Sequence, residues 1–284
     1  MHRPALFLLL AVFVSPLARA QEPKDKIACF DYRKDNAPYK KNLWDGYEIS
    51  LGPSRNPDAV EDKCTGAIYN SAGKVVFRTS GFSVVFDEDV TGKDFDGDGK
   101  PEVVFRTDSG GGMHCCWAYV VFSLSPKPHK LFEIDMQGRV DFESDKDGKM
   151  VIWQMAGGPM EFTSMARRPL AEKVLRVRDG KLVDATAEFC SMKNERLDRS
   201  ELSPEDLKKL DKADERGSDA EDVVSALESM TLQHVFCHEF DEALKDLNLW
   251  PADKREIVMK GFAEGIAQGY PEFAARLREI LKGK

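Results

Sequence analysis

The sequence predicts an α+β fold: an antiparallel β domain, sandwich or partial propeller-like, followed by a C-terminal α-helical bundle. Three observations carry it. From Ile27 to Leu182, short β-branched and aromatic runs recur at close spacing, separated by Gly, Asn, Asp and Pro turn signals. After Cys190 the strand formers thin out, and Ala, Leu, Glu, Lys and Asp take over. Between two of the strand-like runs lies Asp94-Phe95-Asp96-Gly97-Asp98-Gly99-Lys100-Pro101-Glu102, with acids at alternate positions and glycine where a sharp turn is needed. The expected organisation is a signal segment over 1–20, a β domain over 21–190 and a helical domain over 191–284.

Taken in order, the chain starts with His2 and Arg3, then an apolar run from Ala5 to Val14 that is too short for a membrane span. Ala18-Arg19-Ala20 has the small-x-small form of a cleavage site, which makes Gln21 the expected mature start. No later stretch is long and apolar enough to span a bilayer. The expectation is therefore an exported protein, periplasmic or secreted. Cleavage leaves 264 of the 284 residues, with 39 basic and 49 acidic side chains. A net charge near −10 argues against nucleic acid and anionic membranes as partners and suits a cation binder.

Strands are expected at Ile27–Phe30, Tyr47–Leu51, Ala67–Tyr69, Lys74–Arg78, Phe82–Phe86, Val103–Arg106, Cys116–Phe122, Lys130–Ile134, Arg139–Phe142, Met150–Trp153 and Val174–Val183. The last is broken by an Asp179-Gly180 hairpin turn. Gly52 to Pro57 is read as a loop because it holds two prolines. In the second part, Ser203-Pro204 is a capped helix start, and Ser218 with Glu221 reads as a capping box. Val223, Leu227, Met230, His234, Cys237 and Leu244 trace one apolar helix face. Pro251 and Pro271 open two further helices, with Ile257, Phe262, Ile266, Phe273, Leu277 and Ile280 on their apolar faces.

Six cysteines in an exported chain imply disulfides, and fifteen pairings are possible. The expected bridge is Cys190 to Cys237, tying the two parts together. Adjacent Cys115 and Cys116 are expected to reach separate partners, since a vicinal ring is strained.

The acidic loop is the most specific chemical signal. Calcium takes six to eight hard oxygen ligands. Asp94, Asp96 and Asp98 stand at loop positions 1, 3 and 5, Lys100 offers its backbone carbonyl at position 7, and Glu102 closes at position 9. Gly99, at position 6, can take the left-handed conformation that turns the chain back. Four carboxylates this close repel one another without a cation. The competing reading is a solvated acidic turn with no ion. An EF-hand is excluded because a strand, not a helix, follows, and position 12 is Phe105.

At these residues the sequence resembles the FG-GAP or VCBS calcium-loop repeats. More narrowly, the run from Asp94 through Ser109-Gly110-Gly111-Gly112-Met113-His114-Cys115-Cys116 to Phe122 is similar to a group of uncharacterised exported bacterial proteins that follow the loop and strand with a Ser-Gly-Gly-x-His-Cys-Cys turn. The resemblance covers about residues 65–185 and implies an exported calcium-dependent β domain with no established activity. Glu143-Ser144-Asp145-Lys146-Asp147-Gly148 looks like a decayed second loop, expected to be metal-free because Val151 cannot ligate at its closing position.

Other constellations have plainer readings. His114-Cys115-Cys116 suits copper or zinc, but bridged cysteines and a tight turn explain it as well. His234, Cys237 and His238 have zinc-compatible spacing, yet lie on an apolar stripe. Asp141, Glu143 and Glu161 near Trp153 can imitate a glycosidase carboxylate pair, against the commoner solvated strand face. No phosphate loop or nucleophile elbow occurs. The leading expectation is an exported calcium-binding β domain, a binding or structural module of the cell envelope with an envelope protein or glycan as partner, and with no catalytic residues assigned. The alternatives are an envelope hydrolase acting on polysaccharide or peptide, and a helical docking module.

Overall fold

The computed structural model describes residues 29, 38–54, 63–110, 117–136, 139–159, 161–164, 167–192, 202–213 and 220–283. The expected signal segment, the turn holding His114, Cys115 and Cys116, and Ser218 lie outside these residues. The described chain is α+β. Twelve strands form three four-stranded antiparallel sheets, each built from consecutive strands.

The first sheet holds β1 (Tyr39–Asn42), β2 (Glu48–Pro53), β3 (Cys64–Tyr69) and β4 (Val75–Gly81). The second holds β5 (Ser83–Phe86), β6 (Glu102–Asp108), β7 (Trp117–Ser123) and β8 (His129–Met136), and the third β9 (Val140–Ser144), β10 (Met150–Gly157), β11 (Leu170–Arg178) and β12 (Lys181–Asp184). The turns that join them follow local chemistry. Asn70 accepts the Ala72 and Lys74 amides at 3.1 and 2.9 Å. Asp179 and Gly180 both take positive φ, as a two-residue hairpin turn requires.

The second sheet is the middle layer. Alternate residues of a strand face opposite sides, and here both sides are covered. Val103, Phe105 and Phe122 share an apolar cluster with Ile49, Leu51 and Ile68 of the first sheet. Val104, Tyr119 and Val121 join Met150, Ile152 and Leu175 of the third. This is why the start of β6 is a run of buried residues instead of an alternating one. Gly66 shows how closely the first interface is packed. A Cβ there would meet Val84 Cγ1 at 2.9 Å, Phe105 at 3.2 Å and Leu51 at 3.3 Å. Gly66→Ala is expected to cost about 1–3 kcal/mol. It should lower the urea midpoint with the m value unchanged.

The helices are α1 (Thr186–Phe189), α2 (Pro204–Lys209), α3 (Glu221–Phe236), α4 (Phe240–Leu247), α5 (Ala252–Gly265) and α6 (Pro271–Lys282). Val224, Leu227, Trp250, Phe262, Phe273 and their neighbours form one apolar cluster that also takes in Phe162 and Ala171. The Cys190–Cys237 bridge is present, with Cα atoms 5.9 Å apart, and a Cys29–Cys64 bridge accompanies it. These two bridges use the four other cysteines, so the separate partners expected for Cys115 and Cys116 are already taken. Ser203 caps α2 in a reciprocal box with Asp206, and Pro251 and Pro271 begin α5 and α6 as expected.

Several local expectations are corrected. Cys29 is in 3-10 conformation, and the rest of the strand expected over 27–30 lies outside the described residues. Gly52 and Pro53 end β2, paired with Thr65 and Cys64, instead of opening a loop; a proline is tolerated at a strand end, where no ladder hydrogen bond is lost. The edge strand β1 was not expected from its polar sequence, and its pairing to β2 makes it a strand. α3 has Ala220 at its N-cap with no side-chain cap, and Glu221 instead accepts the Ser164 amide. The apolar stripe from Val223 to Leu244 is two helices, because His238 takes φ 58° and turns the chain before α4. Ile257 is 49% exposed, off the apolar face assigned to it.

Candidate metal centre

The acidic loop leaves β5 and returns into β6. Its ends are closed by the Glu102 amide donating to Lys93 O and the Gly92 amide donating to Glu102 O, both at 2.9 Å. Phe95, at the second loop position, is buried with its ring 5.7 Å from Phe132 and 5.5 Å from Phe142. Lys93 Nζ reaches Phe142 O at 3.3 Å. The loop is thus anchored between the second and third sheets by one aromatic side chain and one lysine.

Inside the loop the carboxylates organise the backbone. Asp94 Oδ1 accepts the Gly97 amide at 2.7 Å and Oδ2 the Gly99 amide at 2.8 Å. Asp96 Oδ1 accepts the Asp98 amide at 3.0 Å, and Asp98 Oδ1 the Lys100 amide at 2.7 Å. Gly97 and Gly99 take φ of 80° and 79°, which side chains of L-residues rarely adopt, so the turn requires glycine there. Glu102 lies at the floor, fully buried. Its Oε2 accepts the Phe95 amide at 2.7 Å, while Oε1 is buried with no hydrogen-bond partner.

Of the five residues expected at the site, Asp94, Asp96 and Glu102 converge, with one oxygen from each inside 4.8 Å of the others. Asp98 is exposed and its carboxylate stands outside that cluster; Lys100 is exposed too, and the atom expected from it is its backbone carbonyl, not its side chain. Desolvation pushes the Glu102 carboxyl up to about 7, with repulsion from Asp96, Asp94 and Asp98 adding to it. Burial also raises Asp96, against the opposing Asp98 amide. A buried acid with an unsatisfied oxygen beside two other carboxylates fits a cation. The donors are all hard oxygens, which match calcium and not a soft transition metal.

The second acidic loop holds a different partner. Asp145 Oδ1 accepts the Asp147 and Lys149 amides, both at 2.9 Å, and Oδ2 pairs with Arg176. Desolvation works to raise the Asp145 carboxyl, but the two amides and Arg176 hold it below its ordinary value. An arginine stands where a cation would be needed.

The remaining candidates are dispersed. His234 Nδ1 lies 2.6 Å from Asp246 Oδ2, whereas the His238 ring lies 5.5 Å from Phe240 and 5.6 Å from Tyr270. Asp141 pairs with Arg139 on the third sheet, while the Glu161 carboxylate lies against Gly261 of α5. Glu161 instead faces Glu228 of α3, which is fully buried with neither oxygen partnered. Sequence reasoning missed this pair. Its signal was there: Glu228 sits among Val224, Leu232 and Val235 at helical spacing.

No family model and no curated protein matches the chain. Among solved structures, part of it is similar to a periplasmic lysozyme inhibitor of I-type lysozyme from Aeromonas hydrophyla. The two share 15% identity over 35% of this chain and 88% of that chain, with a TM-score of 0.26.

Proposed function

We propose that the chain is an exported calcium-binding protein whose ion pins the loop from Asp94 to Glu102 between two sheets, and that it works as a binding or structural module of the cell envelope. The observation that carries the metal reading is the unpartnered buried oxygen of Glu102 within reach of Asp94 and Asp96. Asp94, Asp96 and Glu102 would hold calcium through their carboxylates and Lys100 through its carbonyl. Asp98 would set the turn. Bound calcium supplies positive charge that offsets the mutual repulsion of these acids, and because the site does not exist in the unfolded chain, its binding energy adds to folding stability. Export rests on the expected leader and on the two disulfides. Three successive four-stranded sheets support a partial propeller-like arrangement of the β domain, and the cluster shared by the later helices supports a helical bundle after it.

Titrating calcium into chelated protein tests the reading. At a hundredfold excess over Kd the expected stabilisation is about 2.7 kcal/mol, with one ion per chain by calorimetry. Asp96→Ala should lose that response, and Asp145→Asn should leave the stoichiometry unchanged. Glu102→Gln should lose the response while holding or raising the stability of metal-free protein, because it removes a buried acid. A melting temperature indifferent to calcium would overturn the proposal.

A further inference from the structure

A cleft of about 600 Å³ opens beside the acidic loop, a volume in the range of small-molecule sites. Its walls come from three segments far apart in sequence. Asp94 to Gly97 form one wall, Gly148 to Met150 of the β9–β10 turn the second, and Arg176 to Asp179 at the end of β11 the third. Two of the three converging carboxylates, Asp94 and Asp96, therefore border the cleft, and the third, Glu102, lies behind them.

The lining carries three acids (Asp94, Asp96, Asp179) and three bases (Lys149, Arg176, Arg178). A divalent cation on the acid wall offsets the charge of two of those acids. The bases differ in how they are held. Arg176 is tied to Asp145 and lies over the Phe189 ring at 4.8 Å, so it is fixed in place. Arg178 donates to both Glu188 oxygens at 2.6 Å, yet its side chain stays 48% exposed. Lys149 is exposed; its backbone amide goes to Asp145, and its ammonium has no partner among the described residues.

We propose that this cleft binds a sugar-sized oxyanion, with an oxygen of the ligand on the bound calcium and its carboxylate or phosphate on Lys149 and Arg178. This rests on the calcium reading above. Three carboxylates and one carbonyl are four groups, against the six to eight oxygens calcium takes. Amides already occupy one oxygen each of Asp96 and Glu102 and both oxygens of Asp94, which favours single-oxygen ligation and leaves positions for ligand or water. Opposite that ion, a lysine and an arginine supply charge-assisted hydrogen bonds to an anionic group. A neutral sugar of the same size meets only half of this arrangement.

The test uses the full chain loaded with calcium and three probes: glucuronate, glucose 1-phosphate and glucose. Calorimetry and thermal shift should show binding of one or both anions and none of glucose. Chelating the calcium should abolish it. Lys149→Ala should weaken anion binding about tenfold while leaving calcium affinity unchanged. Preference between the two anions identifies carboxylate or phosphate as the favoured group. If calcium binds normally but neither anion does, the cleft proposal is overturned and the calcium reading stands. Anion binding that survives both Lys149→Ala and Arg178→Ala overturns it as well. If calcium itself fails to bind, both fall.

Discussion

Replacing Cys190 and Cys237 together by serine is expected to destabilise the chain by about 4 kcal/mol, the loop-closure value for a bridge across a separation of 47 residues. The bridge joins the 3-10 turn after α1 to the C-terminal cap of α3, so it holds the helices against the third sheet. Other ties cross the same seam. The Leu170 amide donates to Ser229 Oγ at 3.0 Å, Tyr270 donates to Asp184, and Lys173 lies over the Phe236 and Tyr270 rings at 5.0 and 5.2 Å. These bonds remain when the bridge is gone. The double variant should therefore fold, melt earlier and keep the calcium response proposed for the acidic loop, because that loop lies between the second and third sheets and not at this seam. Urea unfolding with and without calcium reads both effects. A double variant as stable as the native protein would show that the bridge constrains a region already ordered in the unfolded ensemble.

Glu228→Met is expected to raise stability by about 3 kcal/mol at pH 8, within the range seen when buried charges give way to apolar side chains. Glu228 is fully buried, and both its oxygens lack partners. Desolvation raises its carboxyl well above the ordinary value, and the neighbouring Glu161 carboxylate adds to the rise. The sign follows from which state binds the proton more tightly. The folded chain does, so stability from this group is fully present below the unfolded value of 4.5 and declines as pH rises toward the folded value. The slope approaches about 1.4 kcal/mol per pH unit. Glu161, raised by burial and by Glu264, adds to the slope of the native protein. Glu102 does the same when metal-free. The comparison is therefore made in saturating calcium, as the difference between native and variant stability from pH 4 to pH 8. It should be near zero at pH 4 and grow as pH rises. A difference independent of pH would mean that the folded chain holds the Glu228 proton no more tightly than the unfolded chain does, and that the gain comes from packing alone.

Both predictions concern the seam between sheet and helices, where sequence reading was least informative. The expected Cys190–Cys237 bridge could be named because the composition changes between its two ends, which makes a tie across the change physically useful. Glu228 could not be placed, because the neighbour that makes it unusual, Glu161, comes from a loop 67 residues earlier. The split of the long apolar stripe at His238 was hidden for a related reason. Its residues keep helical spacing across the break, and only the backbone turn shows that they belong to two helices.

The sequence by itself determined the parts whose causes are local. Acids at alternate positions with Gly97 and Gly99 between them dictate a tight turn lined with oxygens. Asp179-Gly180 dictates a hairpin, Ser203-Pro204 a helix start, and the loss of β-branched residues after Cys190 the change from sheet to helix. Only the tertiary structure decided which acids come together and which are buried. Asp98 looks as good a ligand as Asp96 in the sequence, but it faces solvent, while Glu102 is driven into a dry floor by the sheets that close over β6. Asp145 resembles Asp94 in its turn, yet receives an arginine from β11 where Asp94 keeps company with other carboxylates. The physical reason is that burial and charge pairing belong to segments brought together from a distance, whereas turn geometry is settled within a few residues of chain.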